Sequence, residues 1–229
     1  MNLTLQSIPS PLISEIMAES QFDGVVLDTE HGHFNNETLF NCIQVITLSN
    51  KKCFVRVTDL NKQLIRMCLD AGVDGLIFST IETHTQALEL IEYSTYPMHG
   101  GIRGSALVRE NKYGELEIGK KIPILVGQIE TKRAVDNLIN LLNCKFDYFV
   151  VGPYDLSASL GCTADWSNPL YNTYLNKINS NIPTNRLGAF LPSKNDIERF
   201  IASNTQRPEL LIWGLDIDFL KIGLKNIKL

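Results

Sequence analysis

The stretch GVVLD, residues 24–28, does not alternate apolar with polar side chains, and neither does YFVV, residues 148–151. A strand with one wet face alternates. A strand covered on both faces does not, and that is how parallel sheets wrapped by helices read. Working outward, similar short apolar runs recur at 3–6, 53–57, 75–78, 124–129, 188–191 and 210–213. Between them the apolar residues take helical spacing, at 10–19, 37–48, 62–71, 83–93, 132–142, 170–179 and 194–203. Eight strands alternating with helices over 229 residues predict a closed (β/α)8 barrel, near the lower end of its size range. The expected organisation is one barrel domain over 1–229, with 215–229 a short C-terminal helix available to a partner subunit. An open doubly wound sheet is the alternative. A dinucleotide-binding reading lacks the GxGxxG that should follow the first strand.

A net charge of −4 supplies no basic field to draw in nucleic acid or an anionic membrane. No stretch approaches the ~18 apolar residues of a membrane span. The N-terminus MNLTLQSIPS lacks the basic start and apolar run of a secretory signal. The five cysteines are odd in number and form no CxxC pair, so neither a disulfide framework nor a thiolate zinc site is expected. These features together predict a cytoplasmic protein.

Barrel enzymes carry their reacting groups at the C-terminal ends of strands. Here those ends hold Asp28-Thr29-Glu30-His31, Arg56, Gln128-Ile129-Glu130 and Gly152-Pro153-Tyr154-Asp155. Glu130 and Asp155 follow adjacent strands, and two close carboxylates repel unless a cation lies between them. Oxygen donors of this kind suit Mg2+ or Mn2+. The plainer alternative makes each the acidic first turn of a helix. His31 follows Asp28 by three residues, a spacing at which the carboxylate can fix the imidazole tautomer, although a turn histidine is more often a bystander. Arg56 in the mouth needs an anionic partner: a substrate oxyanion, or Asp28, Glu30 or Asp70. Gly152-Pro153 precedes backbone N–H groups that can bind a carboxylate. The 96–119 segment is the longest irregular stretch, and Arg103 and Arg109 within it are candidates to meet a substrate anion.

At these residues the chain resembles the HpcH/HpaI aldolases, class II pyruvate-dependent enzymes. The matching segments are FDGVVLDTEHG (22–32), FVRV (54–57), LDAGVDGLI (69–77), GIRG (101–104), VGQIET (126–131) and VGPYDLSASLG (151–161). The resemblance implies a (β/α)8 barrel assembled as a homo-oligomer: a hexamer, trimer or dimer. It implies reversible cleavage of a 4-hydroxy-2-oxo acid or 2-keto-3-deoxy sugar acid to pyruvate and an aldehyde, through an enolate of pyruvate. A divalent ion (Mg2+, Mn2+ or Co2+) would be held by Glu130 and Asp155. His31 would move the proton with Asp28 as its partner, and Arg56 would contact the keto oxygen. Gln128, Gly152, Pro153 and Tyr154 would line the substrate site. Asp70 would reach the site of a neighbouring subunit, and the loop after GIRG would border the substrate.

Three other classes compete. A Schiff-base aldolase needs a lysine in the mouth, and none falls at the end of an expected strand. A citrate-lyase-type enzyme acting on acyl-CoA esters would want a basic cluster for the CoA phosphates, and none is obvious. A catalytically silent barrel serving as an interaction subunit has no physical need for Asp28, His31, Arg56, Glu130 and Asp155 together.

Overall fold

The computed structural model describes residues 1–191, 196 and 208–227. Eight parallel strands close on themselves in sequence order. They are β1 (Asn2–Gln6), β2 (Gly24–Asp28), β3 (Lys52–Val57), β4 (Gly75–Phe78), β5 (Ile124–Ile129), β6 (Tyr148–Val151), β7 (Leu187–Leu191) and β8 (Leu210–Leu215). The closing pair β8–β1 carries a register shift between Thr4 and Leu5. Around the strands run α1 (Pro11–Ala18), α2 (Asn36–Leu48), α3 (Lys62–Ala71), α4 (His84–Ser94), α5 (Lys132–Asp136), α6 (Leu138–Leu142), α7 (Pro153–Ser159), α8 (Pro169–Asn181) and, after β8, α9 (Asp216–Lys225). The expected helix at 194–203 lies outside the described residues apart from Asp196. No helix among the described residues is long and apolar enough to cross a membrane.

Local chemistry sets many of these boundaries. Asn35, Asn61, Thr83 and Thr131 each accept a backbone N–H of the first turn that follows them, contacts worth about 1 kcal/mol apiece. Gly72 stops α3 in the left-handed conformation, φ +90°. The helix expected over 132–142 is broken in two at Asn137. The side-chain amide of that residue donates to the backbone carbonyl of Glu82 at 2.9 Å, a local alternative to continuing the helix. The helix start expected after Gly152-Pro153 is present and opens a short helix, Pro153–Ser159.

Strand periodicity sorts the core into two parts. Val25, Leu27, Val55, Leu76, Phe78, Phe149 and Val151 face outward into the helix layer. Leu3, Val26, Phe54, Ile77, Val126, Val150 and Ile212 fill the barrel interior. Gly75 is part of this packing, because a Cβ there would lie 2.3 Å from the Phe54 ring. Two residues further along their strands from Val26, Phe54, Val126 and Val150 come Asp28, Arg56, Gln128 and Gly152. The inward series therefore changes from apolar to polar at the C-terminal end, and the site is the uppermost layer of the interior.

The long connection between α4 and β5 runs at the other end of the barrel, where α3 terminates. Arg109 donates to the carbonyl of Ala71 and the hydroxyl of Thr47, both at 2.7 Å. Arg103 pairs with Asp70 at 2.9 Å and lies over the Tyr96 ring. The expectation that this loop and its arginines border the substrate is thus corrected for a single chain: an α-to-β connection returns to the N-terminal ends of the strands. Phe54→Ala, which empties the centre of the interior, should cost about 3–5 kcal/mol in a chemical denaturation series.

Candidate active site

Asp28 and Arg56 are in-register partners on β2 and β3 and so project to the same side of the sheet. The guanidinium forks onto the carboxylate, with Nε to Oδ1 at 2.8 Å and one terminal nitrogen to Oδ2 at 2.7 Å. Its other terminal nitrogen meets Glu30 Oε2 at 2.8 Å. Burial alone would lower the Arg56 pKa, but the hydrogen bond and charge of Asp28, followed by the charges of Glu30 and Glu130, outweigh it and raise the value. Of the five N–H donors of a guanidinium, these contacts use three and leave two. The ion-pair partners expected for Arg56 include Asp28 and Glu30, and both are present; Asp70 is at the far end of the barrel.

The Asp28 carboxylate also accepts the backbone N–H groups of Glu30, at 3.0 Å, and His31, at 3.4 Å. Its capacity goes to Arg56 and to the turn, not to the imidazole. The acid that approaches the His31 ring is Glu30, at 3.9 Å, and the histidine side chain is 72% exposed on the rim. The expected Asp28–imidazole pairing is therefore replaced by a carboxylate that shapes the turn carrying His31.

Glu130 follows β5 and is buried. Its Oε1 accepts both the amide and the hydroxyl of Thr80, each at 2.6 Å. Its Oε2 accepts the side-chain amide of Gln128. Gly152, after β6, stands against it: a Cβ at that position would lie 2.8 Å from Glu130 Oε2 and 3.0 Å from the Gln128 amide nitrogen. Any side chain at 152 would displace the carboxylate. Burial raises the Glu130 pKa, the charges of Glu30 and Asp155 raise it further, and the Thr80 and Gln128 hydrogen bonds oppose this.

A cavity of about 360 Å³ opens over this layer, lined among others by Asp28, Arg56, Gln128, Gly152 and Asp155. Glu130 lies behind Gln128 and Gly152, whereas Asp155 is exposed at the rim. Pro153 occupies the first turn of α7, whose leading N–H groups, those of Tyr154 and Asp155, have no carbonyl within the helix to bond. A larger cleft, about 590 Å³, lies at the opposite end between α2, α3 and the 109–121 segment and contains none of these groups.

The mouth is anionic: the charges of Asp28, Glu30 and Glu130 act on one guanidinium, and Asp155 lines the same cavity at the rim. Among the described residues no group of three or more His, Cys, Asp or Glu side chains is arranged to hold a metal ion. A two-carboxylate set with open positions fits a hard cation such as Mg2+ or Mn2+, which keeps waters and accepts substrate oxygens. It does not fit a closed zinc site. A cation here would also offset the charges of Glu30 and Asp155 that add to the effect of burial on Glu130.

Several contributors were not singled out in the sequence. Thr80, Ser7 and Asp216 belong to this end of the barrel. The Asp216 carboxylate, at the start of α9, accepts the Ser7 hydroxyl and the Ser7 and Ile8 amides, fixing the β1 end against β8. An acid following an apolar strand is the only sequence signal for Asp216, and Thr80 has none.

A family model described as HpcH/HpaI aldolase/citrate lyase matches residues 7–209. A 2-keto-3-deoxy-L-rhamnonate aldolase of Escherichia coli strain K12 is 30% identical over 69% of this chain and 61% of its own length. The chain thus spans about three-fifths of the length of the curated relatives it matches. Among solved structures, an HpcH/HpaI aldolase/citrate lyase family protein from Burkholderia cenocepacia J2315 superposes with a TM-score of 0.89 at 23% identity, covering 98% of this chain and 91% of its own. The citrate synthase SbnG superposes with a TM-score of 0.83 at 25% identity, covering 98% and 89%.

A carboxyl raised by folding binds its proton more tightly in the native state than in the unfolded chain. Glu130 therefore removes stability as pH rises above its ordinary value of 4.5. In chelator-treated protein, melting temperatures measured from about pH 5 to about pH 8 should fall less in Glu130→Gln than in the wild type. An identical fall in both would show that Glu130 ionises without cost.

Proposed function

Because this chain belongs to the HpcH/HpaI aldolase/citrate lyase family, we propose that its barrel mouth is the active site of a divalent-metal-dependent aldehyde-lyase. The reaction is reversible cleavage of a 4-hydroxy-2-oxo acid or 2-keto-3-deoxy sugar acid to pyruvate and an aldehyde. The observation that carries this reading is electrostatic. Three carboxylates acting on one guanidinium, with Asp155 at the rim, repel an anionic 2-oxo acid unless a cation is bound among them, and Glu130, behind Gln128 and Gly152, and Asp155 offer hard oxygen donors.

A bound Mg2+ or Mn2+ would supply Lewis-acid polarisation of the 2-oxo group. The two N–H groups of Arg56 left free by Asp28 and Glu30 would face the keto oxygen, where negative charge develops. Held by three charge-assisted contacts, the guanidinium needs little reorganisation during reaction. The Gln128 amide orients Glu130, and Gly152 leaves room beside it. The leading N–H groups of α7, at Tyr154 and Asp155, would receive the substrate carboxylate. During cleavage the C4 hydroxyl loses its proton, the C3–C4 electron pair moves toward C3 and the keto oxygen, and the aldehyde departs. The enolate then takes a proton at C3 to give pyruvate. His31, exposed on the rim, would carry the hydroxyl proton, with a water reaching between them.

Asp70 sits at the far end of the barrel, so a role for it at a mouth requires a second copy of the chain. The exposed apolar side chains of α9, Phe219, Leu220, Ile222 and Leu224, support self-association.

The test is cleavage of a 2-keto-3-deoxy sugar acid by metal-loaded protein, read as pyruvate release. Activity should disappear with EDTA and return with Mg2+ or Mn2+, and borohydride with pyruvate should trap no adduct. A trapped adduct, or full activity in EDTA, would replace this reading with a Schiff-base route. Arg56→Ala, confirmed as folded by circular dichroism, should lower turnover by about 10²–10³; near-normal turnover would remove Arg56 from the oxyanion role.

A further inference from the structure

Thr80, just past β4, has φ +53°. Left-handed backbone is a strained conformation for a β-branched residue and persists only where its surroundings impose it. Here they do. The Gln86 side-chain amide spans the turn, donating to the Thr80 carbonyl at 3.1 Å and accepting the Glu82 amide at 3.0 Å. The same turn is tied to the segment that carries Glu130. Glu82 Oε1 accepts the Thr131 hydroxyl at 2.8 Å, and the Glu82 carbonyl accepts from Asn137 at 2.9 Å.

This conformation brings the Thr80 amide and hydroxyl onto one atom, Glu130 Oε1, both at 2.6 Å. A carboxylate has about four lone-pair sites, two per oxygen. Thr80 occupies both on Oε1, and Gln128 occupies one on Oε2. The remaining site is on Oε2, the oxygen that packs against Gly152, where a Cβ would come within 2.8 Å of it.

We propose that Thr80 is a positioning residue that saturates Glu130 Oε1 and so restricts Glu130 to ligating a divalent cation through Oε2 alone. The inference rests on the reading that Glu130 is a cation ligand. It adds that a strained threonine just past β4, which touches neither the cation nor the substrate, sets how that ligand binds. Single-oxygen ligation leaves more of the cation's coordination sphere for the 2-oxo acid than a bidentate carboxylate would.

Calorimetric titration of Mn2+ into chelator-treated protein tests this without turnover. Thr80→Ser keeps both donors and should bind Mn2+ as the wild type does. Thr80→Ala loses the hydroxyl and should raise the Mn2+ Kd by about 10–100-fold, the usual cost of removing a group that orients a ligand. Gln86→Leu frees the strained turn and should weaken Mn2+ in the same direction; it also serves if Thr80→Ala does not fold. Wild-type affinity in folded Thr80→Ala, or in Gln86→Leu when Thr80→Ala is unfolded, would overturn the positioning role while leaving the proposed function standing. Equal losses in Thr80→Ser and Thr80→Ala would also overturn it, by assigning the effect to packing rather than the hydroxyl. No Mn2+ uptake by the wild type would sink both.

Discussion

The arrangement of the mouth depends on a buried guanidinium held between two carboxylates. Arg56 forks onto Asp28 and reaches Glu30 with its remaining terminal nitrogen. Removing a charge of this kind from water is unfavourable unless its donors are satisfied. The network satisfies three of five, and the Arg56 side chain lines the cavity. The same interaction organises the turn after β2, because Asp28 also accepts the amides of Glu30 and His31. One contact thereby ties the cation of the site, the acid next to it and the rim histidine to the register of two neighbouring strands.

Around that pair the mouth is left with more negative than positive charge. In an ordinary interior such a cluster would rearrange toward solvent or hold protons. Glu130 shows the second tendency, with burial and the charges of Glu30 and Asp155 raising its pKa. It stays in place because donors converge on it from both sides, Thr80 from the turn after β4 and Gln128 from β5. Strained backbone at Thr80, an omitted side chain at Gly152 and a buried carboxylate between them are costs concentrated at one point. Departures from ideal structure of this kind collect where a site needs a particular geometry.

The opposite end of the barrel is different in character. Arg103 and Arg109 pack the α4–β5 connection against α3 and the end of α2. Asp70 belongs to that region too. Its motif neighbours in the chain led toward the mouth, but α3 runs back along the barrel from the mouth to the far end. Chain proximity to Arg56 therefore gives spatial separation from it.

Apolar runs without alternation were enough to indicate a parallel sheet wrapped by helices, because burial on both strand faces leaves its mark residue by residue, and the count of eight strands favoured a closed barrel over an open doubly wound sheet. The inward direction of Asp28, Arg56 and Gln128 was legible for a related reason, because strand period two fixes it, and Glu130, Gly152 and Asp155 follow the C-terminal ends of β5 and β6, which places them at the same end of the barrel. What each side chain bonds to was not legible. Asp28 went to Arg56 rather than His31, since a guanidinium one strand away outcompetes an imidazole on the same turn. Thr80 carried no signal and Asp216 only that of an acid after an apolar strand, because their roles arise from contacts with Glu130 and with Ser7 and Ile8, residues 50 and roughly 210 positions distant in the chain. Local pattern determined the elements and the inward positions; closure of the barrel alone decided which donors and acceptors met, because hydrogen bonding depends on separation in space and not along the chain.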